Sequence, residues 1–351
     1  MTITINKKEY PLHTLDAGAQ ELSKKRWDSI AKPLHSLGKM EDLVIQTAGI
    51  TGDANVTYDK KALIVMCADN GVVAEGVTQS EQNVTAIVSE NFLSDKATAA
   101  ILCKQTGAEI FPIDIGIAVD TKLENHKIAY GTKNMAKEPA MTREEAEKAM
   151  EVGIEKVREL SGQGYQIIAT GEMGIGNTTT SSALASYFLQ EDVEKMTGRG
   201  AGLTSKALEK KIAVVRKAIA DYSPSFTDAI DALAALGGFD IAGMAGVFLG
   251  GAIYRVPIVM DGFISSTAAL TATRICPACK DFIMASHVSK EPAAEKILAA
   301  MDKEAALHCD MCLGEGTGAV TLFPILDLAT QIYEQMSTFE DIEIDAYVDL
   351  K

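Results

Sequence analysis

No apolar run in this 351-residue chain is long enough to cross a bilayer. The longest, Ile241–Tyr254, is rich in glycine and stops at Arg255. The opening MTITINKKEY lacks the apolar core of a secretory signal, so a cytoplasmic location is expected. Basic patches are missing too. Lys+Arg number 33 against 48 Asp+Glu, a net charge of −15, and the short clusters Lys7–Lys8 and Lys210–Lys211 are flanked by acids. That balance argues against nucleic acid and anionic membrane as partners. Six cysteines without a leader fit a reducing compartment better than a disulfide scaffold. No low-complexity linker and no clear internal repeat interrupt the chain.

What is present is a rhythm. Short apolar runs end in small polar or glycine-rich loops, and a helical stretch follows. Ala62–Ala68 leads into Asp69-Asn70-Gly71, Glu109–Ile115 into Gly116, and Tyr165–Thr170 into a glycine-rich motif. Pro257–Met260 leads into Asp261-Gly262, and Phe282–Ala285 into Ser286-His287. Continuous apolar strands alternating with helices predict a Rossmann-like α/β fold, a parallel sheet with helices on both faces. Ligands of such sheets bind beyond the carboxyl ends of the strands, where all these loops fall. Helices are predicted over Thr142–Leu160, with Thr142 and Glu145 as a capping box, and over Ser205–Ala220. In the latter, Leu208, Ile212, Val215 and Ile219 mark one apolar face. The domain reading is a large α/β unit over 39–324 and a small helical subdomain made of 1–38 together with 325–351.

The stretch ATGEMGIGNTTTSSAL at 169–184 approaches a phosphate-binding P-loop. Gly171, Gly176 and Thr178 are in place, but Asn177 stands where an ATPase has lysine, and Glu172 adds a negative charge. The missing lysine argues against an NTPase, whereas a single phosphate remains within reach of a glycine turn and helix N-terminus. A second motif, LGEGTGA at 313–319, sets Glu315 between two glycines. A carboxylate in a partly apolar pocket has a raised pKa and suits general-base work; a surface turn is the alternative. Residues 68–84, TGRGAGL at 197–203 and SHVSKEP at 286–292 are weaker single signals, and His287 reads as a hydrogen-bonded structural histidine. Cys276/Cys279 and Cys309/Cys312 have metal-ligand spacing, with His287 and His308 nearby in sequence, but free thiols are the preferred reading and no metal or other cofactor is assigned.

In order along the chain, ADNGVVAEGV, GEMGIGNTTTSSAL, GRGAGL, LGGFDIAGMAGVFLGGA, MDGFISSTAAL, SHVSKE and LGEGTGA resemble the nicotinate-nucleotide–dimethylbenzimidazole phosphoribosyltransferase family. The resemblance spans roughly Leu34 to Pro324. It implies transfer of the 5-phosphoribosyl group of nicotinate mononucleotide to an aromatic base during assembly of cobamides such as vitamin B12. The donor brings one phosphate and a pyridinium leaving group, which accounts for the absent lysine. Carried over motif by motif, Glu315 is the general base and Glu172 a second carboxylate near ribose and nicotinate. Gly174, Gly176, Asn177 and Thr178 form the phosphoribosyl cradle, with Lys211 and Ser289 on the phosphate side. Gly200, Asp261 and Gly262 shape the nucleotide pocket, and Ser80, Gln82, Met173 and Leu313 line the acceptor pocket. A homodimer, or a heterodimer with a similar subunit, is implied as well.

Two departures from the family's pattern fall on the acceptor side. Asn70 stands where the family often has histidine, and Ser80-Glu81 where it often has an aromatic residue and proline. They open the acceptor's identity. A phenol- or p-cresol-accepting subunit and a non-catalytic partner subunit are the competing readings, and retention of both Glu172 and Glu315 speaks against the latter.

Overall fold

The computed structural model describes residues 1–347. A short antiparallel hairpin, β1 (Thr2–Ile5) and β2 (Lys8–Pro11), precedes helices α1 (Ala17–Ser29) and α2 (Lys39–Thr51). The core then runs β3 (Lys61–Ala68), α3 (Val84–Asn91), α4 (Thr98–Thr106), β4 (Ala108–Gly116), β5 (Glu124–Asn125), α5 (Arg143–Gly162) and β6 (Ile167–Met173). It continues with α6 (Asn177–Leu189), α7 (Val193–Met196), α8 (Ser205–Tyr222), α9 (Ala229–Leu236) and α10 (Phe239–Tyr254). The last elements are β7 (Ile258–Met260), α11 (Phe263–Ile275), β8 (Ile283–Ala285), α12 (Ala294–Ala300) and α13 (Thr317–Gln335). Among the described residues no helix is long and apolar enough to cross a membrane.

Six strands form one sheet in the order β5-β4-β3-β6-β7-β8, and every pairing is parallel. All eight residues of β3 are buried. A strand covered on both faces has no reason to alternate, which explains the unbroken run ALIVMCA. Met66 of β3 reaches Gly243 of α10, while Leu63 reaches Gly316 at the start of α13, so successive side chains meet helices on opposite faces. Helix α10 is buried from Phe239 to Ile253 because α5 covers its outer side. Glycines make that approach possible. A methyl at Gly246 would lie 1.9 Å from the Met150 carbonyl oxygen, and one at Gly153 would lie 2.1 Å from that of Gly243.

Expected and observed elements differ where pattern gave no purchase. The first 38 residues are not wholly helical. Residues 2–11 make the hairpin, turning through Asn6 and Lys7, both with positive φ, the left-handed pair that a two-residue hairpin turn requires. Helix α13 continues through Pro324 to Gln335, across the expected boundary at 324/325, and the rest of the 325–351 expectation includes residues 348–351, outside the described residues. The two ends do meet: Arg26 donates to the carbonyls of Tyr333, Glu334 and Met336, and Trp27 lies 5.0 Å from the Tyr333 ring. The capping box on α5 is present, with Thr142 N donating to Glu145 Oε2 at 2.7 Å. Helix α8 buries Lys211, Val214, Val215 and Ala218, so its inner face is rotated by about one residue from the expected apolar stripe.

Candidate active site

Strand β6 runs further than its apolar pattern, through Gly171, Glu172 and Met173. Glu172 is therefore held by the sheet, and only Gly174–Gly176 turn. Gly176 has φ +97 and opens α6 without any side-chain cap, which leaves a helix N-terminus suited to an anion. Gly171 is needed for a different reason: a methyl there would sit 2.6 Å from the Glu315 carbonyl oxygen. The β6 end and the Glu315 loop are thus in backbone contact.

The Glu315 loop is built on an uncommon conformation. Gly314, Glu315 and Gly316 follow one another at φ +90, +62 and +83. A non-glycine residue in the left-handed region costs about 1–2 kcal/mol, and such strain concentrates at functional positions. Asp261 pins the loop from behind. Its Oδ1 accepts the amides of Gly318 at 2.7 Å and Ala319 at 3.1 Å, and its Oδ2 accepts Gly316 at 3.1 Å. His287 is buried beside it, Nδ1 3.7 Å from Asp261 Oδ1 and 3.2 Å from Ser286 Oγ. A side chain at Gly262 would meet that imidazole at 3.3 Å.

These loops enclose a cavity of about 330 Å³ at the carboxyl edge of the sheet. It is lined by Glu172, Met173, Gly174, Gly176, Asn177 and Thr178 from the β6–α6 turn, with Gly200, Asp261, Gly262 and Ser289 beside them. Ser80, Leu313 and Glu315 line it too. Two expected residues lie elsewhere. Gln82 sits in the turn leading to α3, its carbonyl accepting from Thr85, while Gln79 takes its place in the lining. Lys211 lies one layer behind the wall, its Nζ donating to Thr178 Oγ1 at 2.9 Å and to the Gly198 carbonyl at 3.2 Å. It reaches the cavity through that hydroxyl.

Three lining residues, Arg199, His287 and Glu291, belong to motifs that are weak signals in the sequence, and Asp240, behind the wall in the first turn of α10, lies within the LGGFDIAGMAGVFLGGA motif without a role assigned to it there. Asn177 Nδ2 donates to Glu172 Oε2 and, at 3.0 Å, to Asp240 Oδ2. Among the described residues no three His, Cys, Asp or Glu side chains gather to hold a metal. All six cysteines are free; Cys276 and Cys279 are buried, Cys309 and Cys312 exposed.

The electrostatics follow from burial. Glu172 is pushed well above the usual carboxylate range by desolvation, then by Asp240, with Asn177 offsetting part. Glu315 is also raised by burial, partly offset by the Ala99 amide. Its Oε2 is buried and has no hydrogen-bond partner among the described residues. A buried carboxylate oxygen without a protein donor, on a residue that lines the cavity, keeps its capacity to accept a proton. Burial lowers Lys211 to about 8, opposed by Glu291. The arrangement offers an anion site at one end, a proton acceptor at the other, and a buried carboxylate between them.

Residues 12–344 match the family model DBI_PRT, described as Phosphoribosyltransferase. The nicotinate-nucleotide–dimethylbenzimidazole phosphoribosyltransferase of Clostridium acetobutylicum is 49% identical over 343 residues, 97% of each chain. The protein of the same name from Acetivibrio thermocellus is 48% identical over 330 residues, 93% of this chain and 94% of its own. Among solved structures, CobT from Thermus thermophilus superposes with a TM-score of 0.89 at 34% identity, covering 93% of this chain and 99% of that one.

Proposed function

This chain belongs to the phosphoribosyltransferase family matched over residues 12–344, and from that membership we propose that it is a nicotinate-nucleotide–dimethylbenzimidazole phosphoribosyltransferase. It transfers the 5-phosphoribosyl group of nicotinate mononucleotide to 5,6-dimethylbenzimidazole or a related base. The products are the α-ribotide, used in building the lower ligand of cobamides, and nicotinate.

The observation that carries the reading is that Glu315, with one carboxylate oxygen buried and unpartnered, lines the same cavity as Thr178, which Lys211 backs, and the uncapped start of α6. The phosphate is held at that helix N-terminus, with Thr178, Gly200 and Ser289 around it and the Lys211 charge behind. Glu172 faces the ribose and pyridinium. As the glycosidic bond to nicotinate breaks, positive charge grows on the ribosyl carbon, and a nearby carboxylate stabilises it. One ring nitrogen of the acceptor attacks that carbon, and Glu315 takes the proton from the other. Ser80, Met173 and Leu313 form the acceptor end.

The relatives' names carry dimethylbenzimidazole. The test is chromatography of nicotinate mononucleotide incubated with 5,6-dimethylbenzimidazole or p-cresol. Ribotide formed with the benzimidazole alone supports the reading, and ribotide formed with p-cresol alone replaces it with the phenolic one. A homodimer in the cytoplasm belongs to the same proposal. Light scattering at twice the 37.4 kDa chain mass is its check.

A further inference from the structure

Asp240 is a buried carboxylate that the transfer scheme leaves unused. It sits at the start of α10 with no solvent exposure, and its Oδ1 accepts the Ile241 amide at 3.0 Å. Methyl groups at Gly174 or Gly238 would each lie 2.5 Å from one of its oxygens, so the carboxylate is tightly enclosed. Its Oδ2 shares one nitrogen, Asn177 Nδ2, with Glu172 Oε2. A single amide group therefore stands between two buried acids. The groups facing them supply no counter-charge. Asp261 and the Glu315 amide face Glu172, Asn70 lies beside Asp240, and the Cys67 thiol, kept neutral by burial, faces both. The nearest imidazole, His287, is turned to Asp261.

We propose that Asp240 is a positioning residue for the transfer: through Asn177 it fixes Glu172, and the two carboxylates hold one shared proton that leaves when the donor's pyridinium ring binds beside them. Two adjacent anions in a water-poor site repel strongly, so one of them stays protonated until a cation arrives. Burial raises Asp240 to about 6, and burial with Asp240 beside it holds Glu172 well above the usual carboxylate range. The donor's pyridinium is the missing counter-charge. The fully ionised pair binds it better than the singly protonated pair does. Donor affinity therefore rises with pH until the free enzyme has lost the shared proton. As the pyridinium bond breaks, the positive charge moves to the ribosyl carbon, and the same pair still faces it. This inference rests on the transferase reading above.

The experiment is calorimetric titration of nicotinate mononucleotide into wild type and Asp240→Asn, in buffers of different ionisation enthalpy across pH 6 to 7.5. Asparagine keeps an acceptor for Asn177 and removes the charge. The donor's phosphate titrates in the same range, but equally for both proteins, so the difference isolates the buried pair. Wild type is expected to release more protons on binding than the variant. Its affinity is expected to climb more steeply with pH, by up to about tenfold per unit for one full proton. Equal release and equal slopes would overturn the proposal. Should Asp240→Asn not fold, wild type is titrated with ribose 5-phosphate, which carries the phosphate without the cation. Fewer protons released than with nicotinate mononucleotide supports the shared proton, and equal release removes it. If nicotinate mononucleotide does not bind wild type at all, the transferase reading falls too; binding without cation-driven release sinks this inference alone.

Discussion

The Oδ1 of Asp261 accepts the amide of Gly318 at 2.7 Å, tying the end of β7 to the first turn of α13 and so fixing the loop that presents Glu315. Two further amides, of Gly316 and Ala319, converge on the same carboxylate. Asp261 thus does more than shape the nucleotide pocket; it also anchors the proposed base. Replacing it by alanine strips three amides of their acceptor. Asp261→Ala is expected to lower stability by roughly 1–3 kcal/mol, as for a lost cap and newly unsatisfied amides, and to lower turnover more than donor affinity. Thermal unfolding beside steady-state kinetics checks both parts. Unchanged turnover in a destabilised protein would separate Asp261 from Glu315.

Lys211 acts from behind Thr178, so its removal should be felt at the phosphate. Lys211→Met is expected to raise the donor KM by about ten- to a hundredfold, the range for a lost charge-assisted contact, with a smaller change in kcat. Its protonation gives a pH signature. Burial lowers this lysine to about 8, so the free enzyme loses that charge as pH rises through that value. Donor affinity in wild type should fall above pH 8, and the fall should be missing in Lys211→Met. A KM indifferent to both the substitution and the pH would remove Lys211 from the phosphate site.

Gly171 and Gly162 make a matched pair for testing backbone contact. A methyl at Gly171 meets the Glu315 carbonyl oxygen at 2.6 Å, whereas one at Gly162, at the end of α5, meets nothing within 4 Å. Gly171→Ala should cost about 1–3 kcal/mol and depress turnover by displacing the loop. Gly162→Ala should be neutral or slightly stabilising. Melting temperatures and kcat for the two variants, measured side by side, decide it.

Much of the fold is legible because the parallel strands are buried on both faces and read as unbroken apolar runs. Strand β3 differs from its apolar pattern by one residue only, beginning at Lys61 rather than Ala62. The pattern of β6 stops at Thr170, since Gly171 and Glu172 look like loop residues, although the sheet continues through them. The hairpin at 2–11 is hidden because a four-residue strand is too short for its alternation to show. In the site, glycine-rich loops declare themselves by composition. Asp240 does not, because an acid that opens an apolar helix looks like a cap, and its proximity to Glu172 exists only across the fold. Lys211 is named through the family resemblance, but its burial is not visible in the sequence; a lysine beside Lys210 reads as surface until Thr178 and Gly198 are seen to satisfy it.

The account stands on Glu315 as the group that removes the acceptor's proton. The most direct measurement compares wild type and Glu315→Gln for ribotide formation from nicotinate mononucleotide and 5,6-dimethylbenzimidazole, together with donor affinity, from pH 5 to 8. Burial raises this carboxyl, so wild-type turnover should fall on the acid side at a pH above the ordinary glutamate range. The glutamine variant should bind the donor as wild type does, turn over roughly a hundredfold or more slowly, and lack that acid limb. Near-normal turnover with the acid limb intact would contradict the account.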